Sequence, residues 1–236
     1  MISTNLATVV AKIRKSCERT GRNPGEVRIM AVTKSVPVSA ILEAKDAGLV
    51  LFGENRAQEA RQKVSEGVFK SASICMIGHL QTNKASLAVR TFDEVHSIDS
   101  VRIADAVARY ASRYRQDPLP VLMEVNAGRD PAKYGVAPEE AFALARHITS
   151  LPTLRLKGMM TVAPIGGGPE KARECFRTLR ALRDEMVRLG IDPGCMKELS
   201  MGMSGDFDIA VEEGATIVRL GTSLFGPRPS LFGQTP

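Results

Sequence analysis

Tryptophan is missing from this 236-residue chain, and its basic residues, though in excess, never gather into a block. The formal charge is +6, from 32 basic against 26 acidic residues, and the basic residues are dispersed in pairs such as Arg14-Lys15. A nucleic-acid surface is therefore not indicated, whereas a general pull on anionic small molecules is. No apolar run reaches transmembrane length, so no membrane association is expected. The opening stretch MISTNLATVVAKIRKSCERTG lacks the unbroken apolar core of a secretory signal. Its poverty in acids is shared with transit peptides, but Ile2, Leu6, Val9, Ile13 and Cys17 recur at helical spacing. An extra N-terminal helix packed on the domain is the simpler reading. Cys17, Cys75, Cys175 and Cys195 form no C-x-x-C pair and read as reduced thiols of a cytoplasmic protein. The histidines His79, His96 and His147 carry no carboxylate spacing, so no metal site is assigned. Linkers, internal repeats and low-complexity segments are absent as well, and residues 1–236 read as one domain.

What is present is alternation. Apolar, β-branched runs occur at 27–34, 49–54, 73–78, 94–98, 119–126, 154–162, 198–202 and 216–221. Longer stretches of helical pattern lie between them. SAILEAKDAG offers Ser39 as an N-cap and stops at Gly48; SVRIADAVARYASRY sets Ile103, Val107 and Tyr110 on one face; a third runs from Pro169 to Gly190. Eight strands alternating with helices predict a single (β/α)8 TIM barrel. A doubly wound open sheet would carry a glycine-rich turn after its first strand, and TKSVPVS is not one. The cluster Gly166-Gly167-Gly168 reads as a connecting loop.

In a barrel the C-terminal strand ends meet at one face, where active sites sit. Those ends carry Lys34, Glu54-Asn55, Gly78-His79, His96-Ser97, Asn126, Met160-Thr161, Ser200 and Arg219. Lys34 closes the stretch IMAVTKSVP, where an uncompensated lysine is out of place. Its stem would pack on apolar neighbours while its amine faces the cavity, near Arg219, with a lowered pKa. Such an amine is a nucleophile for aldehydes. The stretch LSMGMSGDFDIAVEEGA places Ser200, Gly202, Ser204 and Gly205 between a strand and a helix, with Ser204 suited to the N-cap. RLGTSLFGPR adds a glycine turn at Gly221 and Thr222. Loops after strands seven and eight are the recurrent phosphate site of this fold. Lysine, phosphate loops and an intervening arginine describe a site for a phosphorylated aldehyde, and pyridoxal 5'-phosphate (PLP) fits: a Schiff base on Lys34 and Arg219 beside the ring nitrogen. An arginine there keeps that nitrogen unprotonated, so the ring is a weaker electron sink.

The motifs AVTKSVP, FGENRAQE, IGHLQTNK, VHSIDS, GMMTVAP and LSMGMSGDFDIAVEEGATIVRLGTSLFG closely resemble those of the pyridoxal phosphate homeostasis proteins, the YggS/PROSC family, from about Arg22 to Arg228. That family resembles the barrel domain of alanine racemase and binds PLP without established turnover. The resemblance implies Lys34 as the Schiff-base lysine, Arg219 as the ring-nitrogen partner and Asn55 as a pocket residue. It implies that Ser200, Ser204, Gly221 and Thr222 hold the phosphate. Arg56 stands where the family often has an aromatic, and Asp130-Pro131 stand in its Glu-rich segment before Lys133.

Three functions are compatible with these residues. A cofactor-binding homeostasis protein, passing PLP to apoenzymes, assigns no catalytic residue. An amino-acid racemase needs a second acid/base opposite the lysine, which alanine racemase takes from a tyrosine of an additional domain. Only PRPSLFGQTP follows Gly226, so that domain is expected to be absent, and with it an obvious dimer-forming part; a monomer is expected. Tyr134 is the one tyrosine in a loop. A Schiff-base aldolase of sugar phosphates would have no use for Arg219. Lys133 reads as a solvated loop lysine, Glu54 as an ion-pair partner of Arg56 or a nearby lysine, His79 as a rim or turn residue, and Met159, Met160, Met201 and Met203 as barrel and wall packing.

Overall fold

In the computed structural model, which describes residues 1–164 and 166–227, eight parallel strands close into a barrel in strict sequence order. The strands are β1 (Arg28–Val32), β2 (Leu51–Glu54), β3 (Ser73–Met76), β4 (Glu94–Ile98), β5 (Leu119–Glu124), β6 (Leu154–Met160), β7 (Glu198–Ser200) and β8 (Ile217–Leu220). Every one falls within a run expected to be a strand. The helices are α1 (Ile2–Thr20), α2 (Val38–Asp46), α3 (Ala57–Ser65), α4 (Ala85–Thr91), α5 (Val101–Tyr114), α6 (Ala141–Thr149), α7 (Gly168–Arg188), α8 (Phe207–Glu212) and α9 (Thr222–Phe225). Strands buried on both faces, such as Ile217–Leu220, are what helix-covered parallel sheets require. No helix among the described residues is long and apolar enough to cross a membrane.

The first helix forms as its spacing predicts, burying Ile2, Val9, Ile13 and Cys17, and ends at Gly21 in the left-handed conformation. It packs on α8 and α9, where the Asn5 side chain donates to the Leu224 carbonyl at 2.8 Å. Two N-caps differ from expectation. Helix α2 begins at Val38 with Pro37, in extended conformation, at the N-cap and no capping side chain, so Ser39 lies inside the helix. Helix α8 takes Asp206 as its N-cap instead of Ser204.

Alternation along the strands builds the site. Met30, Leu51, Cys75 and Ile217 form an apolar plug inside the barrel, with Ile77 packed on it. A strand returns to the same face every two residues. The next inward positions toward the C-terminal ends are therefore Val32, Gly53, Ile77 and Arg219. A side chain at Gly53 would press on Met30 Sδ at 2.7 Å and Ile77 Cδ1 at 2.8 Å, so glycine is what lets the plug pack beneath the mouth. One more step of two from Val32 brings Lys34 inward.

Candidate functional site

A cavity of about 520 Å³ opens at the C-terminal ends of the strands. Its lining includes Lys34, Asn55, Arg219, Gly221, Thr222 and Ser204, together with Gly205 and Lys133. Six of the seven cofactor residues proposed from sequence thus share one cavity. Apolar walls come from Val32, Ile77, Val162 and Met203. Asn55 is brought in by a close backbone crossing: a Cβ on Gly78 would lie 2.3 Å from the Asn55 carbonyl oxygen.

Arg219 forms the charged part of the floor. Its guanidinium donates to the Ser200 carbonyl at 2.6 Å, the Ser200 hydroxyl at 3.0 Å and the Thr161 carbonyl at 2.8 Å. Burial lowers its pKa to about 10, opposed by the charges of Glu124 and Asp206, so it stays cationic at neutral pH. Ser200 is the seventh residue, and its place differs from expectation. It is fully buried at the end of β7, outside the cavity lining, with carbonyl and hydroxyl both turned to Arg219. Strand register explains this: Ser200 pairs with Ile217 of the plug, one layer below Arg219, so its hydroxyl ends beneath the guanidinium and the loop beyond it supplies the cavity's donors.

Those donors sit on two crossing loops. Ser204 Oγ accepts from the Ser223 N–H at 3.1 Å, tying the β7–α8 loop to the start of α9. Asp206 Oδ1 accepts from the Met203 N–H at 2.5 Å and folds the same loop from within. Among the described residues, the N–H groups of Ser204, Gly205, Gly221 and Thr222 donate to no protein acceptor, and all four residues line the cavity. Clustered, unused backbone N–H groups near helix starts suit a phosphate.

On the opposite side, the turn carrying Lys34 is closed by the Val36 N–H donating to the Thr33 carbonyl at 3.0 Å. Ser35, its third residue, has φ 57, as a type II turn demands and glycine more often supplies. Holding serine there costs about 1–2 kcal/mol. Beneath the turn lies a buried ion cluster. The Lys63 ammonium donates to the Thr33 carbonyl at 2.8 Å, to Glu54 Oε1 at 2.6 Å and to Glu59 Oε1 at 2.8 Å. Thr33 Oγ1 donates to Glu54 Oε1 at 2.8 Å, and the Ser35 N–H donates to Glu59 Oε1 at 2.8 Å. Glu54 is thus an ion-pair partner, of Lys63 rather than Arg56. Burial pushes its carboxyl above the ordinary range against the pull of Lys63 and Thr33. Sequence reasoning missed Lys63, whose contacts span 30 and 9 residues without a motif.

Other strand-end residues do not reach the cavity. Asn126 bonds within its own loop, donating to the Asp130 carbonyl at 2.8 Å. His79 stacks on Tyr134 with ring centroids 3.7 Å apart and lines an adjoining cavity of about 730 Å³. His96 is buried in the barrel, its Nε2 3.0 Å from Glu94 Oε2, and burial lowers its pKa. Cys75, Glu94 and His96 bring donor atoms within 4.8 Å of one another, where Lys157 Nζ, 3.0 Å from Glu94 Oε1, already supplies a cation. Lys133 is half-buried, donates to the Ala163 carbonyl at 2.9 Å and lines both cavities, which makes it a wall residue rather than a solvated one. Glu124 is buried with one carboxylate oxygen unpartnered; burial, then repulsion by Asp99, raises its pKa to about 7.

This closed barrel, with a lysine after β1, an arginine from β8 and two donor loops after β7 and β8, is matched over residues 4–229 by the family model described as the alanine racemase N-terminal domain, which sets its class. An alanine racemase of Clostridium difficile shares the fold at TM-score 0.71 and 15% identity, covering 94% of this chain and 57% of that one. Nearer relatives narrow the class. The pyridoxal phosphate homeostasis protein of Aquifex aeolicus is 40% identical over 94% of this chain and 96% of its own length. That of Pseudomonas aeruginosa is 39% identical over 96% of each. PipY of Synechococcus elongatus, solved with PLP bound, superposes at TM-score 0.82 with 33% identity, covering 96% of this chain and 100% of that one. The chain belongs to the pyridoxal phosphate homeostasis protein family.

Proposed function

We propose that this chain binds PLP at the barrel mouth, holds it on Lys34 as a Schiff base, and serves cofactor homeostasis rather than turnover. The observation that carries the reading is the lining of one cavity: an inward lysine, a buried arginine and four loop residues with unused N–H groups. When bound, the cofactor brings an aldehyde carbon that accepts an amine and a ring that withdraws electrons. Lys34 supplies the amine. Ser204, Gly205, Gly221 and Thr222 would hold the phosphate, and Arg219 would face the ring nitrogen as a donor that stays charged. Ser200 and Thr161 hold Arg219 in place. Asn55, Ile77, Val162 and Met203 confine the ring.

Racemisation is the second reading. It needs an acid/base opposite Lys34. Among the described residues of the lining, Lys133 is the available candidate, and its amine is engaged with the Ala163 carbonyl. Tyr134 is stacked on His79 in the adjoining cavity. The lining therefore supports binding over turnover. A one-domain monomer acting in the cytoplasm and passing PLP to apoenzymes completes the proposal; the free cysteines suit a reducing compartment. The test is a PLP titration of the cofactor-free protein followed by chiral analysis of L-amino acids incubated with the loaded form. Saturable binding at one site with unchanged L-amino acids is expected; D-isomer at many equivalents per site would establish the racemase.

A further inference from the structure

The backbone on either side of Lys34 is firmly anchored. Alternation turns Lys34 into the cavity, while its neighbours on either side are fixed from the outer face of the barrel wall. Thr33 is fully buried and is held through its carbonyl by Lys63 and through its hydroxyl by Glu54. Ser35 is held through its N–H by Glu59. The same Lys63 ammonium joins Glu54 and Glu59, so all three of its N–H bonds are used, and each ends on a group attached to this turn or to its anchors. The Thr33 carbonyl also accepts the Val36 N–H that closes the turn. Nothing in this cluster lines the cavity.

We propose that Lys63, Glu54 and Glu59 are positioning residues for covalent attachment: a buried charged clamp, anchored on β2 and α3, that holds the Thr33–Val36 turn strained at Ser35 so that the Lys34 amine is presented to the cofactor's aldehyde. The proposal rests on the PLP reading above. In the step concerned, the Lys34 nitrogen bonds to the aldehyde carbon, the nitrogen gives up its protons and the carbonyl oxygen leaves as water. The clamp takes no part in those bond changes. It acts by limiting where the lysine stem can start, and misplacement of a reacting group by about 1 Å can cost roughly 100-fold in rate. A charged clamp suits the task, because three short bonds to one buried cation resist rotation of the turn more than apolar packing would.

Lys63→Met leaves Glu54 buried without its cation and is expected to destabilise the fold, so Glu59 is the position to test. Its side chain is 28% exposed, and Glu59→Ala removes the Ser35 anchor while leaving the Lys63–Glu54 pair. Glu59→Gln keeps an acceptor for the Ser35 N–H. Two readouts on the full chain are needed. The first, without cofactor, is hydrogen exchange of the Ser35 and Val36 amides. The second is the rate at which the absorbance of attached PLP develops, with borohydride trapping and peptide mapping to count adducts on Lys34.

Glu59→Ala is expected to speed exchange at Ser35 and to slow attachment, each roughly tenfold, and Glu59→Gln to restore most of both. A Glu59→Ala protein that attaches PLP at the parent rate overturns the proposal, as does a Gln variant as slow as the Ala variant. A parent protein that attaches no PLP at Lys34 overturns the underlying reading, and this proposal with it.

Discussion

The two sides of the barrel mouth are held by different chemistry. On the β1–β2 side, full charges are buried behind the Lys34 turn, with Lys63 only 7% exposed and Glu54 not exposed at all. On the β7–β8 side, no buried cation holds the loops: the Ser204 hydroxyl accepts from the Ser223 N–H between them, the Asp206 carboxylate accepts from the Met203 N–H within one of them, and Gly205 and Thr222 stand exposed. On the proposed reading, the difference follows from what each side would do. A phosphate has several oxygens and accepts from whichever N–H groups surround it, so its loops tolerate adjustment. A covalent bond forms at one atom, and the backbone bearing that atom has to be fixed. Arg219 stands between the two regimes, charged yet held by backbone carbonyls.

The comparison is broken most severely at the lysine. Lys34→Ala is expected to abolish the borohydride-trapped adduct and to weaken PLP binding by roughly 100-fold, equivalent to about 3 kcal/mol; an undiminished adduct on another lysine would refute the assignment. Next comes Arg219→Met, which leaves the Ser200 and Thr161 carbonyls without their donor. Loss of charged hydrogen bonds of this kind is expected to cost about 3 kcal/mol in urea denaturation. In the loaded protein the pH titration of the visible spectrum should move as well. A titration that does not move would take Arg219 away from the ring.

Glu124 sharpens the contrast from beneath. Its pKa of about 7 in the folded protein lies above that of an unfolded glutamate, about 4.3. Between those values the native state keeps a proton that the unfolded chain has lost, so this contribution to stability is full at low pH and declines as pH rises toward 7. The cofactor-free protein should lose up to about 3 kcal/mol from this group between pH 4.5 and 8. Glu124→Gln should remove that slope and leave the variant more stable than the parent at pH 8. Equal pH profiles of the urea midpoint would show that Glu124 is not held protonated. The smallest effect is expected at Ser204→Ala, about 1 kcal/mol of stability and a few-fold loss of PLP affinity, with attachment at Lys34 intact. A loss of attachment there would mean that the phosphate side, too, is a rigid part of the reactive geometry.

The barrel was legible because parallel strands buried on both faces leave unbroken β-branched runs, and all eight runs became strands. Lys34 and Arg219 could be placed at the cavity from sequence because a cation in or just after such a run has few structural excuses. The clamp could not be read. Lys63 lies in the last turn of AQEARQKVS, where an i,i+4 partner such as Glu59 looks like ordinary surface pairing, and only the docking of α3 against the ends of β1 and β2 buries it. Ser200 and Ser204 show the same limit at smaller scale. Both occur in one serine-glycine stretch, yet strand direction turns the first onto Arg219 and leaves the second at the cavity. Ser39 misled because Pro37 had already set the entry of α2. Residues 228–236, which hold the last part of the closing stretch PRPSLFGQTP, lie outside the described residues.

The central claim is that Lys34 carries the cofactor. The most direct test is to load the full chain with PLP, record its visible spectrum, reduce with borohydride and map the modified peptide by mass spectrometry. A yellow protein with a single pyridoxyl group on Lys34 is the predicted result. A protein that stays colourless, or one whose adduct maps to Lys133 or another lysine, would contradict the account.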